Sequence, residues 1–170
     1  YIQICDRDIS RDLIVLGIHP RKTYNLEPIK VPKKYFADFV RGFFDGDGTV
    51  YTYKVNGTPQ IKVGFVSPTV SFLKDFNNRL CESINIPYKI VHENLGINKN
   101  LIQYSINFYV SDSEKLQDFM YSGNPILYLI RKRKIFENWG KIKFTNRRHY
   151  IKKNYPSKVG WRLSEGFSAS

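Results

Sequence analysis

The stretch FVRGFFDGDGTV, residues 39–50, joins two incompatible patterns within a dozen positions. Phe36, Phe39, Val40 and Phe43 recur at helical spacing, which predicts a helix from about Lys33 to near Gly46. Thr49 and Val50 open a β-prone run, TVYTYKV. Between them stands Asp45-Gly46-Asp47-Gly48, two carboxylates where a helix hands over to a strand. A calcium loop of the EF-hand type beginning at Asp45 would need glycine at its sixth place and glutamate at its twelfth, and Val50 and Asn56 stand there. A plain Asp-Gly turn is a simpler reading, but it leaves the surroundings unexplained. Gly42 interrupts an apolar helix at a cost of about 1 kcal/mol relative to alanine, which suits the close approach of another helix. An acid at a helix C-terminus also opposes the helix dipole, and a bound cation would offset that repulsion.

Downstream, Asn56-Gly57 suits a tight turn between TVYTYKV and QIKVGFVS, so a β-hairpin is predicted. A helix follows in SPTVSFLKDFNNRLCESIN, with Ser67 as its cap, Pro68 at its first position, and Phe72, Leu73, Phe76 and Leu80 on its apolar face. YKIVHE and LIQYSINFYV form a second hairpin, and SDSEKLQDFMYS reads as a helix with a Ser111–Glu114 capping box. NPILYLIRKRKIFENW gives a last helix. The layout is α+β: a four-stranded antiparallel sheet with helices on one face and the other face open. Depending on strand phase, that open face presents Tyr51 and Tyr53 or Thr52 and Lys54, together with Gln60 and Lys62. A basic β-ribbon of this kind can enter the DNA major groove.

Upstream, YIQICDRDISRDLIVLGIHPRKT suggests a short β-prone run, then a helix capped by Asp6 or Asp8 and stopped at Gly17. Three regions are expected: a lead-in over residues 1–32, a core domain over 33–139, and a basic extension over 140–170. That extension carries about +7 of the chain's formal charge of +12, including Arg147 and Arg148, and suits phosphate contact, while Trp161 and Phe167 suggest that part of it packs back. The whole chain has 170 residues, with 27 Lys and Arg against 15 Asp and Glu, and 42 % of it is hydrophobic. A charge of that size points to a polyanionic partner, the bland alternative being a merely basic soluble or structural protein. Cys5 and Cys81 lack the spacing of a zinc site or a disulfide framework. With no apolar run near the roughly 20 residues of a membrane span and no signal peptide, an intracellular protein is expected. The first residue is Tyr, so a piece of a longer chain is a natural reading. His19, His92 and His149 show no ligand spacing.

Residues Val40 to Gly48 resemble the nine-residue signature of the LAGLIDADG homing endonucleases. Glycine stands at the third and ninth places, acid at the sixth and eighth, and apolar residues at the first, fourth and fifth. Arg41 replaces the small residue expected at the second, which suggests an exposed side of the helix. The predicted order over residues 33–139 also resembles that family's αββαββα unit, and DLIVLGIHPRKT resembles the segment leading into the motif. The resemblance implies a site-specific double-stranded DNA endonuclease that hydrolyses phosphodiester bonds with Mg²⁺ or another divalent cation. It implies that Asp47, helped by the Gly46 carbonyl, holds the metal, while Asp45 stabilises the helix end. It also implies a basic residue near the site, which maps to Lys132, with Arg131 or Lys134 if the register slips, and a polar residue near Ser67. Arg131 and Lys134 otherwise join the strand residues as DNA contacts. Two motif helices are expected to pair through Phe39, Gly42 and Phe43, either in a homodimer or against an upstream half of a longer chain. The alternative function is a non-cleaving nucleic-acid binder on the same scaffold, an RNA-splicing maturase or a DNA-binding regulator.

Overall fold

In the computed structural model, residues 5–18, 26–95 and 102–154 are described, with side chains to residue 143. Helix α1 (Arg7–Val15) is capped by Asp6, whose Oδ1 accepts from the amides of Asp8 (2.8 Å) and Ile9 (2.9 Å). It ends before Gly17, which takes the left-handed conformation (φ 90°) that favours glycine. A 3₁₀ turn (Lys33–Tyr35) leads into α2 (Phe36–Asp47). Strands β1 (Thr49–Val55) and β2 (Thr58–Ser67) form the first hairpin, turning at Asn56 (φ 49°) and Gly57 (φ 79°), both left-handed as this two-residue turn requires. Then come α3 (Val70–Ser83), β3 (His92–Leu95), β4 (Ile102–Tyr109), α4 (Val110–Tyr121) and α5 (Ile130–Asn154). From α2 to α4 the order is αββαββα, in an α+β architecture with one antiparallel sheet of strand order β1-β2-β4-β3.

Period-two alternation sets which side of the sheet is covered. Ile61, Val63 and Phe65 of β2 and Ile106 and Phe108 of β4 are fully buried beneath the helices. Phe36, Val40 and Phe44, four residues apart on α2, pack onto them with Phe72, Leu73, Phe76 and Leu80 of α3. Phe76 is the aromatic hub, with ring centroids 4.9 Å from Phe65 and 5.0 Å from Phe43. Burying such a ring contributes about 2–3 kcal/mol. Arg79 fastens the lead-in to α3 by donating to the carbonyls of Ile29 (2.8 Å) and Val31 (2.6 Å), with its guanidinium 4.4 Å from the Phe36 ring centroid. α1 buries none of its own residues, and Ile9, Leu13, Ile14 and Val15 are exposed. No described helix is long and apolar enough to cross a membrane.

Several local expectations are corrected. α3 starts at Val70 with no side-chain cap; Ser67 instead accepts from the Thr69 amide through its Oγ (3.1 Å), two residues ahead. α4 starts at Val110 without the Ser111–Glu114 box, because Glu114 is engaged by Trp139 Nε1 (3.0 Å) and Lys143 Nζ (2.6 Å) from α5. The last helix begins at Ile130, not Asn124, since Asn124 is left-handed (φ 46°) and precedes Pro125. It then continues through residue 140 to Asn154 without a break. The β-prone run at residues 1–4, and Trp161 and Phe167, lie outside the described residues.

Candidate active site and open sheet face

The handover from α2 to β1 contains two carboxylates in different settings. Asp45, in the last turn of α2, turns inward: its Oδ2 accepts from the Leu129 amide (2.9 Å), just ahead of α5. Its Oδ1 is buried with no described partner, as is the hydroxyl of Tyr121. Burial, followed by the nearby Asp45 charge, pushes the Tyr121 hydroxyl up to about 12. Asp47, the last residue of α2, is exposed and makes no hydrogen bond or ion pair with another described residue. Gly46 is also exposed, and no described residue donates to its carbonyl, one of the last four of the helix.

Lys132 completes this junction from α5. It is 4 % exposed, and Nζ donates to the carbonyls of Phe44 (2.5 Å), Gly48 (2.6 Å) and Asp45 (3.0 Å). An ammonium has three N–H donors, so all of them point at the end of α2. Sequence reading expected Lys132 near the reacting groups; in the structure its ammonium caps the C-terminal end of α2. Burial, then the neighbouring Arg131, lowers the pKa of this ammonium, while Asp45 and Asp47 act in the opposite direction. The two helices therefore cap each other. α2 supplies a carboxylate to the N-terminus of α5, and α5 returns a cation to the C-terminus of α2, each with the sign that the dipole favours. Gly48 fits this junction because a Cβ there would come within 2.6 Å of the Phe44 ring and carbonyl.

Arg41 corrects another expectation. Its side chain is 11 % exposed and donates to Asp38 Oδ1 (2.5 Å) and to the carbonyls of Met120 (2.8 Å) and Leu127 (3.0 Å). It thus ties α2 to the end of α4 and to the segment before α5. Gly42 is exposed, and a Cβ added there would meet nothing within 4 Å, so no described element of this chain makes the close approach that glycine permits. Phe39 and Phe43 are half-buried: Phe39 stacks on Phe36 (6.1 Å), and Phe43 packs on Phe65 (5.3 Å) and Phe72 (5.4 Å). Their outer edges and Gly42 line a mostly apolar cleft of about 450 Å³ that reaches Asp47 and Ser67.

The register settles the strand phase. Tyr51 pairs with Lys62 and Tyr53 with Gln60, on the side away from the helices. Lys54 pairs with Pro59 in the phase of Val50 and Ile61, the helix side, so it does not belong to the open face with the others. Lys62 pairs in turn with Tyr109, Gly64 with Asn107 and Val66 with Ser105, and beyond them His92 and Asn94 face Ser105 and Gln103. This second half of the face was missed in the sequence, although Gln103, Ser105, Asn107 and Tyr109 alternate visibly with Tyr104, Ile106 and Phe108. Arg131 and Lys134 are exposed on α5, whereas the side chains of Arg147 and Arg148 lie outside the described residues.

No family model matches the chain, and no curated protein matches it. Among solved structures, it is similar to the LAGLIDADG meganuclease I-AabMI bound to uncleaved DNA, at 18 % identity over 70 % of this chain and 38 % of that one, with a TM-score of 0.38. It is also similar to the LAGLIDADG homing endonuclease I-GzeII in complex with its DNA target, at 15 % identity over 88 % of this chain and 48 % of that one, with a TM-score of 0.47. The chain spans less than half the length of either. At these scores the likeness gives no residue correspondence, and the reading of the site rests on the chain's own geometry.

Proposed function

We propose that the chain is a site-specific double-stranded DNA endonuclease in which Asp47 holds a divalent cation beside the scissile phosphate. The observation that carries this reading is the contrast at the end of α2. Asp45 and Lys132 are drawn into the fold, while Asp47 stays exposed two residues before Thr49 begins the open sheet face. In a chain of charge +12, an exposed acid beside a surface suited to a polyanion weakens binding unless a cation lies between them. Asp47 and the unpaired Gly46 carbonyl offer oxygen donors that suit Mg²⁺. When bound, such an ion activates water and stabilises the leaving oxygen of the phosphodiester.

The chain's own residues orient these groups. Lys132 acts as a positioning residue, fixing the carbonyls on either side of Gly46 and Asp47, and Asp45 locks the start of α5. The sheet aligns the duplex, and exposed Arg131 and Lys134 of α5 serve as phosphate contacts. Among the described residues, no group of three or more His, Cys, Asp and Glu side chains is arranged to hold an ion. One carboxylate is too little for the reaction, so a second motif helix is part of the proposal. It would lie along Gly42 beside Phe39 and Phe43 and bring its own acid, from a second copy in a homodimer or from an upstream half.

The test is Mg²⁺-dependent cleavage of a randomised duplex library by the full chain and by Asp47→Asn. Cleavage by the wild type is expected to fall at least a hundredfold in the variant, with folding and duplex binding retained. Tight duplex binding without cleavage would instead establish a non-cleaving binder, and a preference for folded RNA would establish a maturase-like role.

A further inference from the structure

The open face has an unusual chemical make-up for a surface that meets DNA. Among the described residues the register places one Lys or Arg on it, Lys62, whose ammonium lies 5.6 Å from the Tyr109 ring centroid. Side-chain amides are the larger group: Gln60 on β2, Gln103 and Asn107 on β4, and Asn94 on β3. Asn94 is tied to its neighbour, donating from Nδ2 to Ser105 Oγ (2.8 Å). Gln60, Gln103 and Asn107 make no side-chain hydrogen bond with another described residue, so their donors and acceptors are available to a ligand. An amide offers one N–H and one C=O side by side, the complement of adenine N6 and N7 in the major groove. Guanine, with two acceptors on that edge, calls for Arg or Lys.

The register also spaces these amides. Asn107 is level with Gly64 on β2, and Gln60 lies four residues from that level. Gln103 lies four residues from Asn107 in the opposite sense, because β4 runs antiparallel to β2. At about 3.3 Å per residue, neighbouring amides are about 13 Å apart along the ladder, close to four base-pair steps of about 3.4 Å. Gly64 makes the central position workable. A Cβ there would sit 2.9 Å from Thr49 Oγ1 and 3.1 Å from Asn107 Oδ1, so both side chains occupy the space above the glycine.

We infer that this face reads A·T pairs through Gln60, Asn107 and Gln103 at three positions about four base pairs apart, with Gly64 positioning the central reader. The inference rests on the duplex-DNA reading above and deepens it to a class of target. The experiment selects bound duplexes from a random library with the full chain carrying Asp47→Asn, so that recovered DNA is intact. A·T is expected at three positions with the stated spacing, each preferred about fivefold or more. Gln60→Arg should turn one outer position from A to G and leave the other two unchanged. Gly64→Ala, which needs only a side-chain shift of Thr49 and Asn107, should flatten the central preference alone. Enriched duplexes with G·C at these positions, or an unmoved preference in Gln60→Arg, would overturn the amide readout and leave the endonuclease reading intact. Recovery of no enriched duplex would overturn both.

Discussion

Lys132 and Tyr121 show how differently two buried polar groups behave around one helix end. The Lys132 ammonium answers three carbonyls; Lys132→Met should remove all three bonds, leave Phe44 with the Gly48 amide alone (3.0 Å), and lower stability by about 3 kcal/mol in urea unfolding. Lys132→Arg is not expected to restore it, because a planar guanidinium does not present three convergent donors. Stability must therefore be measured beside activity before any loss of cleavage is assigned to chemistry. Tyr121 has the opposite condition, a buried hydroxyl with no described partner. Tyr121→Phe should be neutral or stabilising by up to about 1 kcal/mol at neutral pH. Its pKa is raised to about 12 in the fold against an ordinary value of 10.0. The folded protein thus retains this proton longer than the unfolded chain. Its contribution is fully present below pH 10 and is lost as pH rises through about 12, by at most about 3 kcal/mol. Comparing the alkaline stability profile of the wild type with that of Tyr121→Phe isolates it.

At the scale of the element, α2 and its C-cap hold three glycines with different reasons for being glycine. Gly48 closes the helix where a Cβ would collide with Phe44, so Gly48→Ala should destabilise by about 2 kcal/mol or more. Gly42 has open space around it. In an isolated chain Gly42→Ala should raise stability by about 0.5–1 kcal/mol, the ordinary helix-propensity gain. In a helix pair the same methyl holds the two backbones apart. Thermal melting together with sedimentation is expected to show higher stability with weaker association; unchanged association would remove Gly42 from the proposed interface. Gly46, whose Cβ would also meet nothing, stands between the two acids and leaves its own carbonyl approachable. The mutual capping of α2 and α5 couples the two helices at this end, since neither can shift without exposing charge or unpaired backbone.

At the scale of the molecule, the proposed duplex binding divides between charge and shape. Duplex affinity should fall with salt along a log–log slope of about −5 or steeper, as expected when about six phosphates are neutralised. If Arg131 is a phosphate contact, Arg131→Ala should reduce that slope by about 1 without changing base preference. Binding measured at several salt concentrations checks both. In the proposed complex the sheet supplies the mostly neutral part of recognition, because apart from Lys62 its open strand positions hold amides, hydroxyls and aromatic rings, while the exposed Arg131 and Lys134 lie on α5.

Much of this organisation was legible before any coordinates. The 3.6-residue repeat of Phe36, Val40 and Phe44, the Asn56-Gly57 turn and the alternation along β2 specify the order αββαββα, because local backbone preference and burial agree at those positions. Different roles for Asp45 and Asp47 were an expectation from the resemblance alone; the structure adds that Asp45 accepts from the Leu129 amide while Asp47 is exposed. Tertiary structure alone decided the rest. Partners such as Lys132 with Phe44, Arg41 with Leu127, and Glu114 with Lys143 are separated by 88, 86 and 29 residues, respectively, and no local pattern encodes such a choice. Thus Ser111 and Glu114 look like a capping box until α5 arrives, and Arg41 looks exposed until two distant carbonyls converge on it. The strand phase was likewise undecided, because Tyr51-Thr52-Tyr53-Lys54 suits either face. Pairing with β2 fixed it, since only one register buries Ile61, Val63 and Phe65 together.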